Sequence, residues 1–250
     1  MRVAVITPFH REPEQWLSLA QRSVRGQSHP CDHILIGDAA TVTPPHPAII
    51  VNLPTGVADY GDTPRAVGSF YAAGLGYDAI AYLDADNAFH RDHIASMIEL
   101  QRRTNAAVIT SRRAFIRIDG SYMAECTASD GEVFCDTNCL FLTRAAFGVL
   151  QHWALMDRAF HAIDDRVIWH HILEAGLSRA HTGRATAMYR ATYPGFYRDL
   201  GETPPEGVKA PKGNPIGDAL RAWQAAGLAP IRPRWGYRRY RPPAVPPAKA

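Results

Sequence analysis

Five short apolar runs, most of them separated by stretches with helical spacing, constrain this 250-residue chain more than any other feature. Residues 2–7, 32–38, 48–53, 79–83 and 106–110 have the length and apolar content of strands buried in a sheet. Residues 12–27 follow the first run, with Trp16, Leu19, Ala20 and Val24 at helical spacing and Pro13 suited to a first helical turn. Residues 63–75 predict a second helix ending near Gly74 or Gly76. Residues 90–103 predict a third, with Ile94, Met97 and Ile98 on one face. A Pro-rich turn at 41–47 and a polar loop at 55–62 fill the other gaps. Strand-helix alternation of this kind predicts an α/β fold with a mostly parallel sheet and helices on both faces.

The fourth run carries the chemistry. Ala79-Ile80-Ala81-Tyr82-Leu83 stops at Asp84-Ala85-Asp86-Asn87, two carboxylates one residue apart. Open α/β sheets bind ligands at the carboxyl ends of their strands. If extended geometry persists, residues two apart point the same way and Asp84 and Asp86 face one site. Adjacent carboxylates repel unless a cation or hydrogen bonds compensate. A divalent ion bridging to a substrate diphosphate is one compensation. Capping of the helix that follows is the other use of such a pair.

The second half is less regular. Residues 114–137 mix short apolar runs with Gly120 and Gly131. Residues 139–142 and 186–193 suit strands, and 144–153, 163–175 and 218–226 suit helices. Residues 200–215 predict a Gly- and Pro-rich loop, and 230–250 an extended or disordered tail. The expected organisation is one domain over 1–217, divided into 1–115 and a less regular half over 116–217, followed by a short helix and basic tail over 218–250.

Composition limits the function classes. Hydrophobic residues make up 46% and charged residues 20%, an ordinary globular balance. No run approaches a membrane-spanning length, and the N-terminal residues lack a signal-peptide core, so cytoplasmic residence is the expectation. The net charge of +3 is uneven: seven Lys or Arg and no acid follow Asp218, leaving the preceding residues at −4. A mildly acidic body offers no broad face for nucleic acid. The tail interleaves Arg234, Arg238, Arg239 and Arg241 with Trp235, Tyr237 and Tyr240. Such a segment suits contact with an anionic membrane surface, packing on the domain, or plain solvation. Cys31, Cys126, Cys135 and Cys139 lack a partner set at zinc-ligand spacing and read as reduced thiols.

Taken in order, Val3-Ala4-Val5-Ile6-Thr7-Pro8-Phe9-His10-Arg11, Arg22-Ser23-Val24-Arg25-Gly26-Gln27, Ile34-Leu35-Ile36-Gly37-Asp38, Gly61-Asp62-Thr63-Pro64-Arg65-Ala66 and Tyr82-Leu83-Asp84-Ala85-Asp86-Asn87 resemble the family 2 glycosyltransferases of the GT-A fold. The resemblance covers residues 1–115 and continues more weakly through Asp136-Thr137-Asn138 and Ile163-Asp164-Asp165-Arg166 to about residue 205. It implies a Rossmann-like nucleotide-sugar-binding half, a UDP-sugar donor ahead of GDP- or dTDP-sugars, and a glycan or other hydroxyl acceptor. By the same resemblance Thr7, Pro8, Phe9, Arg11 and Asp38 hold base and ribose, and Asp62 and Arg65 meet nucleotide or diphosphate. Asp86 would bind Mn2+ or Mg2+ directly, with Asp84 on ribose or metal-bound water. Asp165, with Asp164 as fallback, would be the general base of an inverting transfer.

Many relatives place a further metal-binding His in a segment resembling residues 189–202. Here Thr192-Tyr193-Pro194-Gly195-Phe196-Tyr197-Arg198 has none, and Phe196 stands in its place. His181 is the upstream substitute. Tyr189, Arg190 and Arg198 could instead compensate diphosphate charge. Asp136-Thr137-Asn138 reads equally as an acceptor contact or a turn, and His170-His171 as packed or solvated. A nucleotidyltransferase would carry a Gly-rich basic loop where this chain has Pro8-Phe9-His10-Arg11-Glu12. A binding module that has lost catalysis is the non-enzyme alternative.

Overall fold

The chain is described from a computed structural model covering residues 1–41, 46–210, 213–228 and 237–239. In chain order the first half comprises β1 (Val3–Phe9), α1 (Glu14–Arg25), β2 (Asp32–Asp38), β3 (Ile49–Leu53), α2 (Asp62–Gly74), β4 (Ala79–Tyr82), β5 (Ala88–Phe89) and α3 (His93–Thr104). The second half comprises β6 (Val108–Ile116), β7 (Tyr122–Cys126), β8 (Leu140–Thr143), α4 (Gln151–Ala154), α5 (Asp164–Glu174), β9 (Arg179–Arg190), α6 (Pro194–Asp199), α7 (Pro215–Ala225) and β10 (Tyr237–Arg239).

The sheet grows outward from β1, which is buried at every residue, as a strand covered on both faces must be. β1 pairs in parallel with β2 and β4, and β2 with β3. Leu17 of α1 packs with Leu35, whereas Gly68 of α2 lies against Ile6 and Ile36. Neighbouring strand residues point to opposite faces, so these two helices cover opposite sides of the sheet. A Cβ at Gly68 would lie 2.7 Å from Cγ2 of Ile6, so this glycine sets how closely α2 approaches. Beyond β4 the order continues β8-β6-β7-β10, and β9 lies parallel to β6 and antiparallel to β5. β1, β2, β3, β4, β6, β9 and β10 run one way, and β5, β7 and β8 run against them. The mostly parallel sheet flanked by helices is the expected fold class.

Differences from the sequence reading have local causes. The fifth expected strand, β6, runs to Ile116 rather than stopping at 110, because the polar residues Ser111 and Arg113, which break the apolar run, are buried within it. Arg113 is fully buried, paired with Asp136 and surrounded by the rings of Phe115, Phe134 and Tyr189 at 4.8–5.5 Å. β9 starts seven residues before the expected strand because its first half is polar and partly exposed, which hides the strand pattern. Residues 144–153 form a 3-10 turn, Arg144–Leu150, that passes into α4. The helix expected from residue 90 begins at His93, since Ala88 and Phe89 pair with β9 first. The expected boundary at 217/218 falls inside α7, whose Ala219 and Trp223 pack on Ile163 and Val167. Of the tail, Tyr237–Arg239 pairs with β7; Arg234, Trp235, Tyr240 and Arg241 lie outside the described residues, as do residues 42–45 of the turn expected at 41–47. Among the described residues no helix is long and apolar enough to cross a membrane.

The Arg113–Asp136 pair gives a stability prediction. Removing one partner of a buried ion pair strands the other charge, at a cost of about 3–5 kcal/mol. Asp136→Ala should therefore lower the urea midpoint by that equivalent; an unchanged midpoint would show that the pair carries no such weight.

Candidate active site

The carboxyl ends of β1, β2 and β4 open into a cavity of about 940 Å³. The far wall comes from residues just before β8, the start of α5 with the residues leading into it, the turn around α6 and the loop before α7. This is the crevice where doubly wound sheets take ligands.

Arg65, one turn into α2, is the centre of the site. It is 4% exposed. One guanidinium nitrogen donates to Oδ1 of Asp84 at 2.6 Å; the other donates to Oδ2 of Asp164 at 2.9 Å and to the Tyr60 carbonyl at 3.1 Å. Asp62 Oδ1 lies 3.7 Å away. The planar fork suits such multiple acceptance. Burial alone would lower the Arg65 pKa, but Asp84, Asp164 and Asp62 outweigh it and hold the charge on.

Asp84 and Asp86 reach the cavity by a route the sequence pattern did not show. β4 ends at Tyr82, and the chain turns, with Asn87 donating its amide to the Asp84 carbonyl at 3.0 Å. Extended geometry does not persist; the turn places both acids at the cavity instead. Neither caps α3, whose N-cap is Asp92. Asn138 clamps Asp84: its Nδ2 donates to Oδ2 of Asp84 at 2.8 Å, and its Oδ1 accepts the Asp84 amide at 2.7 Å. Asp136 in turn accepts from Asn138 at 2.9 and 3.0 Å. The Asp136-Thr137-Asn138 segment is thus a bracket for Asp84 as well as part of the cavity wall.

Asp86 carries the other cationic contact. Its Oδ2 lies 3.3 Å from Nζ of Lys209, and burial raises its pKa against the pull of that ammonium. The Asp86 carbonyl accepts from Nε of Arg190 at 2.9 Å. Arg190 also donates through Nη1 to the Arg117 and Ile118 carbonyls and lies over the Trp16 ring; it braces the turn and does not line the cavity.

Asp164 and Asp165 begin α5, where carboxylates are favoured by the exposed amides of the helix start. Both also line the cavity. Asp164 accepts Arg65 through Oδ2 and the Asp165 amide through Oδ1 at 2.6 Å. Burial lifts its pKa well above the usual carboxylate range despite Arg65. Asp62, at the start of α2, is fully buried and meets Nδ1 of His161. Its pKa is pushed up to about 8, by burial first and by Asp59 against the opposing pull of Arg65.

The nucleotide-side residues divide. Pro8 and Phe9 line the cavity. Asp38 lines it too, but its carboxylate accepts the Val57 and Ala58 amides at 2.8 and 3.4 Å, so it organises the loop over residues 56–61. That loop holds Ala58, Tyr60 and Gly61 at positive φ, a conformation fixed by Asp38 below and by Asp59 accepting from Gly61 and Thr63. Thr7 points into the core, its hydroxyl 2.8 Å from His33, and is a correction to the expected base contact. Arg11, also expected at base and ribose, is exposed outside the cavity lining and is a second correction. His181 is a third. It sits on β9 with Nδ1 2.8 Å from the Thr110 hydroxyl and does not line the cavity, because the parallel pairing of β9 with β6 carries it along the sheet, away from Asp86.

Tyr189 and Arg198 line the cavity as well, and so do Lys209, Tyr60 and His161, which had no sequence signal. Lys209 lies in a Gly- and Pro-rich loop, and only the turn around α6 brings it to Asp86. Among the described residues no group of three or more His, Cys, Asp or Glu is placed to hold a metal ion. The Mn2+ or Mg2+ expected at Asp86 and Asp84 does not fit the arrangement as it stands: one carboxylate is taken by Lys209, the other by Arg65 and Asn138, and the third donor is elsewhere. Cys126, Cys135 and Cys139 are buried and unbridged, and burial holds the Cys135 and Cys139 thiols protonated.

With this geometry in hand, likeness to known proteins narrows the class. No family model matches the chain, and no curated protein matches it. Among solved structures the chain is similar to S. aureus TarS residues 1–349 in complex with UDP, with a TM-score of 0.58 and 11% identity over 80% of this chain and 63% of that one. It is similar also to the same protein in complex with UDP-GlcNAc, with a TM-score of 0.57 and 10% identity over 89% of this chain and 65% of that one. The chain spans less than two thirds of the length of either. The likeness is one of fold, and the fold is of the glycosyltransferase-like GT-A type.

The Asp62 shift has a pH consequence. The folded chain keeps this proton up to about pH 8, whereas the unfolded chain releases it near 3.8. A carboxyl with a raised folded pKa favours folding at low pH, and that contribution is lost as pH rises through the folded value. Between about pH 5 and pH 8 the wild type should lose Tm relative to Asp62→Asn, on a scale of roughly 2–4 °C per kcal/mol. Parallel Tm–pH curves for the two proteins would show that Asp62 ionises normally.

Proposed function

We propose that this protein is a nucleotide-sugar glycosyltransferase of the family 2 type, moving a sugar from a nucleotide-diphosphate donor, a UDP-sugar first, to a hydroxyl acceptor such as a glycan. The observation that carries this reading is the convergence of Asp84, Asp86, Asp164 and Asp165 on one cavity at the carboxyl ends of parallel strands. The similar structures hold UDP and UDP-GlcNAc, which supports a donor of that class here.

Pro8, Phe9 and the loop held by Asp38 form the wall for the base. Asp84, clamped by Arg65 and Asn138, faces the ribose. Asp165 is the general base. It takes the acceptor hydroxyl proton as that oxygen attacks the anomeric carbon, and the bond from that carbon to the β-phosphate oxygen breaks with its electrons on the diphosphate. A single displacement of this kind inverts the anomeric centre. Asp164, whose two oxygens already serve Arg65 and the Asp165 amide, orients the base. Its raised pKa is the one observation that favours Asp164 as the base instead. No step here depends on a metal ion. Of the other readings, a nucleotidyltransferase lacks its Gly-rich basic loop after β1. An inactive binding module would bind nucleotide without transfer.

The test is a donor screen with UDP-, GDP- and dTDP-sugars, reading nucleoside diphosphate release with an acceptor mixture. Asp165→Asn should keep nucleotide binding and lower kcat by about 10²–10⁴-fold, the usual share of a general base. Loss confined to Asp164→Asn would move the base to Asp164. Nucleotide binding with no release from any donor would leave the binding-module reading.

A further inference from the structure

Lys209 stands where the resemblance expects a metal ion. Its ammonium lies 3.3 Å from Oδ2 of Asp86 and 5.6 Å from the ring centre of Tyr193, and it lines the same cavity as Asp84 and Asp86. Its backbone amide donates to the Thr192 carbonyl at 2.7 Å, which ties the loop bearing it to the turn that lacks the family's histidine. The side chain is half exposed, so a ligand in the cavity can reach it.

We infer that Lys209 supplies the positive charge for the donor's diphosphate, with Asp86 as the carboxylate that holds the ammonium ready. This rests on the glycosyltransferase reading and deepens it. Without ligand, Asp86 neutralises Lys209. When a nucleoside diphosphate enters, its phosphate oxygens compete for the same ammonium, and an ammonium on a flexible four-carbon stem can turn to them as a compact point charge. As the bond to the anomeric carbon breaks, charge grows on the diphosphate and the contact strengthens, which is when an electrostatic contact accelerates the chemistry. Arg65 cannot take this part, because it is buried among Asp84, Asp164 and the Tyr60 carbonyl. Arg190 holds three backbone carbonyls and does not line the cavity. Arg198 also lines the cavity and is exposed, but Lys209 is the cation held at Asp86, where the resemblance expects the metal, and that position assigns it the role and gives Asp86 a different task from that of a metal ligand.

The two roles of Asp86 predict opposite outcomes. UDP, GDP and dTDP binding would be measured by calorimetry and thermal shift, in EDTA and in Mn2+, for wild type, Lys209→Met, Lys209→Arg and Asp86→Asn. The wild type should bind one nucleotide in EDTA, and Lys209→Met should weaken that binding by about tenfold or more, the scale of one lost charge-assisted contact. Lys209→Arg should recover part of it, and Asp86→Asn should bind in EDTA at least as tightly as wild type. Lys209→Met binding as tightly as wild type, or wild-type binding that needs Mn2+ and vanishes in Asp86→Asn, would overturn the assignment while leaving the donor site intact. No nucleotide binding by the wild type in either condition would remove the donor-site reading and Lys209's role with it.

Discussion

One buried guanidinium holds the site together. Arg65 touches the turn after β4 through Asp84, the start of α5 through Asp164, and the loop before its own helix through the Tyr60 carbonyl. The first two are 19 and 99 residues from Arg65 in sequence. Four acids within reach of one another, Asp62, Asp84, Asp164 and Asp165, would repel across an open crevice. A cation among them lets the crevice exist. A buried charge is tolerated only when it is paired and hydrogen-bonded, and Arg65 meets that condition at both ends of its fork. Its position follows in turn from Gly68, one turn along α2, which lets the helix lie close over Ile6 and Ile36.

The sheet explains why these groups meet. Parallel strands present their carboxyl ends together, and the crossover helices α1 and α2 leave the loops at that end free of the core. The second half contributes by reversal. β8 inserts antiparallel between β4 and β6, so the segment entering it, Asp136-Thr137-Asn138, arrives beside Asp84. The fully buried Arg113–Asp136 pair anchors that segment from below. A chain of polar contacts therefore runs from the core of β6 through Asp136 and Asn138 to Asp84, and through Arg65 to α5. Each link is a short-range geometric demand, which is how a loop-built site keeps its shape.

Much of this was legible in the chain. The runs at 2–7, 32–38, 48–53 and 79–83 became β1 to β4 within two residues at each end, because a buried parallel strand leaves an almost unbroken apolar signature. The placing of Pro8, Phe9, Arg65, Asp84, Asp86, Asp164 and Asp165 at one cavity was legible from motif order. The strands β6 and β9 were legible only in part, because their polar residues are buried in pairs or lie at an exposed edge. Thr7, Arg11 and His181 were expected at the site and do not line the cavity. Thr7 and His181 lie on strands, where direction and register decide which way a side chain faces, and neither is written in a single segment.

The sequence by itself determined the alternation of strands and helices, the carboxylates that end β4 and start α5, and the absence of a histidine in the segment around Phe196. These are local properties, set by apolar patterning and residue type. Tertiary structure alone decided that Asp38 serves a loop, that Asn138 clamps Asp84, that Arg190 braces a turn, and that Lys209 faces Asp86. Those four roles depend on which orphan donor lies opposite which acceptor once distant segments have packed. Electrostatic pairing in a folded chain is a matter of ångströms, and no local pattern in a Gly- and Pro-rich loop can specify it.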